Sequence, residues 1–133
     1  MDHERRVREV LTKFEEIIEN HSNNLSQLEN MLAINQLDVD RCNRIVKRVR
    51  RTRKELSDGL KIIIEHFDSI SDKTIREETL GIVSYLNLIG FSDEMELLKA
   101  LEKQMKNAGA QIDIGDDIQQ LNVLMELTSK LSF

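Results

Sequence analysis

The side chains that could do chemistry in this chain are few, and their spacing points away from catalysis. The single cysteine, Cys42, shares a spacing of three and four residues with Val39, Val46 and Val49. That places it on an apolar helical seam, where a thiol is a small buried hydrophobe and not a nucleophile. A di-metal site in a helical bundle needs Glu-x-x-His pairs on facing helices. His21 and His66 both have an isoleucine three residues earlier, and His3 sits in a terminus expected to fray. The acid pairs Glu15-Glu16, Glu77-Glu78 and Asp116-Asp117 are adjacent in sequence. Neighbours on a helix diverge by about 100°, so these carboxylates cannot work as an acid and its base. The stretch from Asp113 to Asp117 opens like a calcium loop, but its twelfth position is Leu124, where a bidentate Glu is required. No glycine-rich phosphate loop occurs. The expectation is a protein that is not an enzyme, with no metal and no cofactor.

One stretch stands out for charge. Arg41, Arg44, Lys47, Arg48, Arg50, Arg51, Arg53 and Lys54 crowd a short segment of a chain whose net charge is -5. Arg41, Arg44, Arg48 and Arg51 share one helical face, and Lys47, Arg50 and Lys54 the adjoining one. Three readings fit. The cations are a solvated face balanced by Glu9, Glu15, Glu16, Glu19 and Glu29 on a neighbouring helix. Or they hold an acidic protein segment. Or they track the phosphates of nucleic acid or an anionic lipid surface. Base-specific readout is disfavoured, because Asn and Gln are sparse here. Aromatics make up 4% of the chain and Trp is absent, which removes the usual stacking platforms for bases.

The elements that position these groups read as helices. Proline is absent, glycine occurs five times and charged residues reach 32%. That composition suits long helices and one domain of 1–133 with a real core. One cysteine excludes an internal disulfide framework, and no stretch nears ~20 apolar residues. A cytoplasmic or nuclear setting is expected.

Val7, Leu11, Phe14, Ile18, His21, Leu25, Leu28 and Leu32 keep a 3.5-residue period, predicting a helix over 4–34. Asn35 to Asp38 form a turn, with Asp38 as N-cap of a second helix over 39–68. Its seam runs through Val46, Val49, Leu56, Leu60, Ile63 and Phe67. The phase crosses Ser57-Asp58-Gly59 without slipping, so a continuous or slightly kinked helix is expected. Within 72–133, Thr74 and Glu77 predict a capping box, and Gly90 a left-handed helix end with Ser92 capping the next helix. Gly109 predicts a stop, and Asp116 to Gln119 a fifth helix start.

The resulting fold is all-α: a long antiparallel coiled-coil hairpin over 4–68 packed with three shorter helices, a five-helix bundle. Three half-length helices would leave the hairpin's far end exposed. Leu25, Leu28, Met31, Leu32, Val39, Ile45, Val46 and Val49 would then form a free apolar edge. This makes the chain a non-catalytic interaction module, a subunit or adaptor that pairs with itself or with a partner helix through that arm. A nucleic-acid-associated or lipid-binding regulator using the basic ridge is the alternative. In the middle of the hairpin Arg53 occupies a seam position. Antiparallel pairing sets it near Glu16 or Glu19, with His21 and Asn24 close by. It reads either as a layer that fixes register or as a side chain snorkelling to water.

Overall fold

The computed structural model describes residues 3–34 and 37–131, and Asn35 and Gln36, expected to begin a turn, lie outside it. Five helical segments follow in order: α1 (His3–Leu32), α2 (Val39–His66), α3 (Lys73–Tyr85), α4 (Phe91–Asn107) and α5 (Gly115–Ser129). A short 3-10 turn, Phe67–Ser69, follows α2. The segments α3 and α4 are not separate helices. A π turn, Leu86–Gly90, joins them without a break, so the described residues form four helices and not five.

The correction turns on Gly90. Its φ of -55° is right-handed helical, and neither Ser92 nor any other side chain caps α4. Glycine at this point adopts the conformation any residue takes, so the chain runs through it. The left-handed end appears one helix later. Gly109 has φ 77°, Ala110 N–H donates to Met105 O and Gly109 N–H to Lys106 O. Those two bonds are the Schellman pattern that closes a helix. The N-cap of α3 is Asp72, not Thr74: Asp72 accepts from the backbone N–H of Thr74 and Ile75. Asp38 caps α2 as the sequence predicts, accepting from Arg41 N–H at 3.0 Å. The helix α5 begins at Gly115, with no side-chain cap.

The helices run up, down, up and down. At the base, Glu4 of α1 accepts from the backbone and hydroxyl of Ser71 and from Asp72 N–H. His3 is stacked on His66 there, with ring centroids 4.3 Å apart. At the far end, Gln104 of α4 donates to Leu32 O at 2.9 Å. Asn87 in the π turn donates to Met125 O and Thr128 Oγ1 of α5. The antiparallel hairpin of α1 and α2 therefore gains a long third helix along its whole height.

That third helix covers the end expected to stand free. Leu28 and Val49 are fully buried, and Leu25, Met31, Ile45 and Val46 nearly so. Leu32 and Val39 are half-buried against the same core. Leu98, Leu101 and Met105 of α4 join them in one continuous apolar cluster. The segment after Gly109 adds to the cover: Ala110, Ile112 and Ile114 turn inward while Gln111 and Asp113 face water. The protruding arm depended on three half-length helices. Segments of thirteen, five and seventeen residues in line reach where separate ones would not. Among the described residues no helix is long and apolar enough to cross a membrane.

Candidate functional site

Two charged features lie on α2, and the structure separates them by burial. Arg53 faces inward with 3% of its surface exposed. It donates through Nη1 to Glu94 Oε2 and through Nη2 to Asp117 Oδ1, both at 2.5 Å. Glu94, fully buried, also accepts from His21 Nε2 at 2.6 Å. Asp117 in turn accepts from Arg50 Nε at 2.9 Å and Nη2 at 2.8 Å. Arg50 Nη2 reaches Asp113 O as well. The chain His21, Glu94, Arg53, Asp117, Arg50 draws members from α1, α2, α4 and α5.

The polar layer expected around Arg53 and His21 is present, but its acids are different ones. Glu16 and Glu19 face water. Glu94 and Asp117 take their place. Both follow helix-start signals in sequence, where a carboxylate has a local use at the helix dipole. That local explanation hid the long-range one, since nothing in sequence tells which inward turn an acid will meet.

Two guanidinium groups face two carboxylates in the layer. Ion pairs this deep are held by mutual neutralisation: desolvation of each partner is offset only by the other. Burial alone would raise the Asp117 carboxyl. The hydrogen bonds from Arg50 and Arg53 more than reverse this and hold it below its ordinary value. The same bond from Asp117 raises Arg50. Arg53 Nε is buried with no hydrogen-bond partner. The layer's chemistry is that of a clamp whose hydrogen bonds run between its own members, apart from that of Arg50 to Asp113 O.

The second feature is the outer face of α2. Arg41, Arg44, Lys47, Arg48 and Arg51 are exposed. Among the described residues no carboxylate lies within 4.0 Å of any of their charged groups. The acids of α1 do not balance them; Glu9 pairs with Arg5 on its own helix. Arg50 is the ridge residue that the structure withdraws, turned toward Asp117. Lys54 pairs with Asp58 at 3.0 Å on an exposed turn, a contact of small energy.

Beside the ridge, α2 and α5 diverge to leave a cleft of about 940 Å³. Lys54, Ser57 and Lys61 form its α2 wall; Gln120, Val123 and Leu127 form the α5 wall. Asp113 and Asp116 close one end. A smaller cleft of about 450 Å³ lies between α1 and α4, near His21, Tyr85 and Glu96.

Cys42 is fully buried, and burial pushes its thiol up, with Asp38 adding to the effect. Its place in the seam agrees with its spacing. Among the described residues no three His, Cys, Asp or Glu side chains are grouped to hold a metal ion. Compared with known protein families, curated proteins and solved structures, the chain matches none.

Proposed function

We propose that the chain is a non-catalytic protein–protein interaction module that receives an acidic partner on the outer face of α2. One observation carries the reading: Arg41, Arg44, Lys47, Arg48 and Arg51 are exposed along about 15 Å of helix, and among the described residues none of their charged groups forms an ion pair. Like charges at this spacing repel and weaken a helix slightly. A partner that neutralises them removes that cost. An acidic polypeptide is favoured over nucleic acid because the chain offers few aromatic side chains on which bases could stack. Apolar residues also border the ridge across the α5 cleft, where a protein partner has side chains to bury.

The nucleic-acid-associated reading uses the same ridge and separates by salt dependence. Fluorescence anisotropy against a labelled 20-residue polyglutamate, a 20-base-pair duplex, a single-stranded RNA and phosphatidylserine vesicles distinguishes the partners. Binding of the acidic peptide, lost in the variant R44E/R48E/R51E, supports the proposal. Duplex or RNA binding that falls steeply between 50 and 200 mM salt would replace it with the phosphate reading, since counterion release gives that slope. Binding to none of the four would reduce the ridge to a solvated face.

A further inference from the structure

The π turn brings apolar side chains to the surface beside a groove lined by acids alone among its lysine, arginine and carboxylate positions. Leu86, Gly90 and Phe91 are buried at this turn, but Leu88 is 62% exposed and Ile89 48%. Tyr85, one turn before Ile89, is exposed as well and reaches the cleft of about 450 Å³ between α1 and α4. Leu25 and Leu97 give that cleft apolar walls, and the short side chains of Ser22, Ser26 and Ala100 leave it open. Its carboxylates are Glu29, Asp93 and Glu96, and no lysine or arginine lines it. His21, which also lines it, is bonded to Glu94. Among the described residues none of the three lining carboxylates forms an ion pair. Asp93 stands where an acid would serve a helix start, but α3 and α4 are joined, so no free helix end is there for it to serve.

We infer that this groove seats an amphipathic basic helix of a partner protein. An apolar patch rimmed by polar residues is a surface on which proteins meet. Here the apolar walls are the seat, and the carboxylates fix the sign of what enters. Lysines or arginines flanking the occupant's apolar face complement Glu29, Asp93 and Glu96, whereas an acidic segment is repelled. The backbone decides the occupant's form. Both walls are helices whose N–H and C=O groups are bonded internally, so an extended segment would bury unpaired backbone groups. A helix brings its own already bonded and lays an apolar face into the groove. The lining residues of α1, His21 to Glu29, rise about 12 Å, or two turns. Apolar side chains on successive turns of the occupant thus rest against Leu25, Leu97 and Tyr85, with Ile89 at the rim. Because α2 and α4 both pack on α1 and α5, they stand diagonally across the bundle. The groove is therefore a different surface from the basic ridge, and it does not depend on what binds there.

The test is fluorescence anisotropy on the full chain with three labelled 15-residue helical peptides. All three carry leucine at i, i+3, i+7 and i+10 on an alanine background, and they differ only in having Lys, Gln or Glu at the flanking positions. The Lys peptide is expected to bind at least tenfold more tightly than the Gln peptide, and the Glu peptide not to bind. Replacing the leucines of the Lys peptide by serine should cost tenfold or more. The variant E29K/E96K should lower affinity for the Lys peptide at least tenfold. The variant E55K/E126K makes the same change in net charge at exposed positions outside the groove and should lower it less than threefold. Ala100→Arg, which fills the groove and reverses its sign, should abolish binding. All five positions are exposed, so circular dichroism should show the three variants folded. Equal losses in the two double variants, or binding indifferent to the leucines, would reduce the effect to general attraction between opposite charges and overturn the groove. No binding of the Lys peptide, or tighter binding of the Gln or Glu peptide, would overturn it too.

Discussion

Phe14 occupies the space that a side chain at Gly59 would need. A Cβ built on Gly59 would lie 2.2 Å from Phe14 Cε1 and 2.6 Å from Cζ. The ring is almost fully buried at this crossing, and the missing side chain is what lets α1 and α2 approach.

Gly59→Ala should therefore destabilise the fold by about 1–3 kcal/mol, despite alanine's better helix propensity, because the ring cannot move away without displacing the core. Gly81 is the control. It is helical, exposed and has open space around its Cα, so Gly81→Ala should stabilise by about 1 kcal/mol. Urea unfolding of both variants checks the pair; equal effects would remove the steric argument.

Arg53→Leu should cost roughly 3–5 kcal/mol, because it leaves Glu94 and Asp117 buried without their shared guanidinium. From sequence alone stability is expected to hold or rise, with leucine filling a seam between α1 and α2. The difference lies in which acids are involved: Glu16 or Glu19 would turn to water when released, but Glu94 cannot. Replacing Arg53, Glu94 and Asp117 together by apolar residues should recover most of the loss. Denaturant midpoints of the single and triple variants decide it.

Much of the fold is legible in the residues, and the rest depends on contacts distant in sequence. The seams of α1 and α2, the Asp38 cap, the continuity through Gly59 and the stop at Gly109 follow from local spacing and backbone preference. The joining of α3 and α4 does not. Gly90 and Ser92 carry the local signature of an end and a start, and packing of Leu86 and Phe91 into the core overrides it. The exposed basic ridge was readable from spacing. The withdrawal of Arg50 was not, since its partner Asp117 is 67 residues away.

Leu28→Asp and Val46→Asp should act on folding and not on assembly. Both side chains are enclosed by the chain's own helices, so a charge there stays buried without a partner. Each should lower stability by roughly 4 kcal/mol or more. Sedimentation of the wild type should give the monomer mass. A dimer that either variant dissociates with its helical signal intact would return these residues to an interface.

Stability should fall below about pH 4, in part through Asp117. In the unfolded chain an aspartate titrates near ~3.9, and in the fold Asp117 is held lower by Arg50 and Arg53. Its contribution is therefore complete above the unfolded value and is lost as pH falls through the folded one. Asp117→Asn should be less stable than wild type at pH 7, with the gap narrowing toward pH 3. A gap independent of pH would mean that the ionised carboxylate is not what the arginines hold.

The layer that joins all four helices has a consequence for how the bundle comes apart. Removing α5 strips Asp117 from both Arg50 and Arg53; removing α4 takes Glu94 from Arg53 and His21. A partly assembled bundle thus loses ion-pair partners at its centre, and such states should be scarcely populated. Helices that could fray one by one in an all-apolar core are coupled, so amide protons at the centre of all four should exchange together, through opening of the whole molecule.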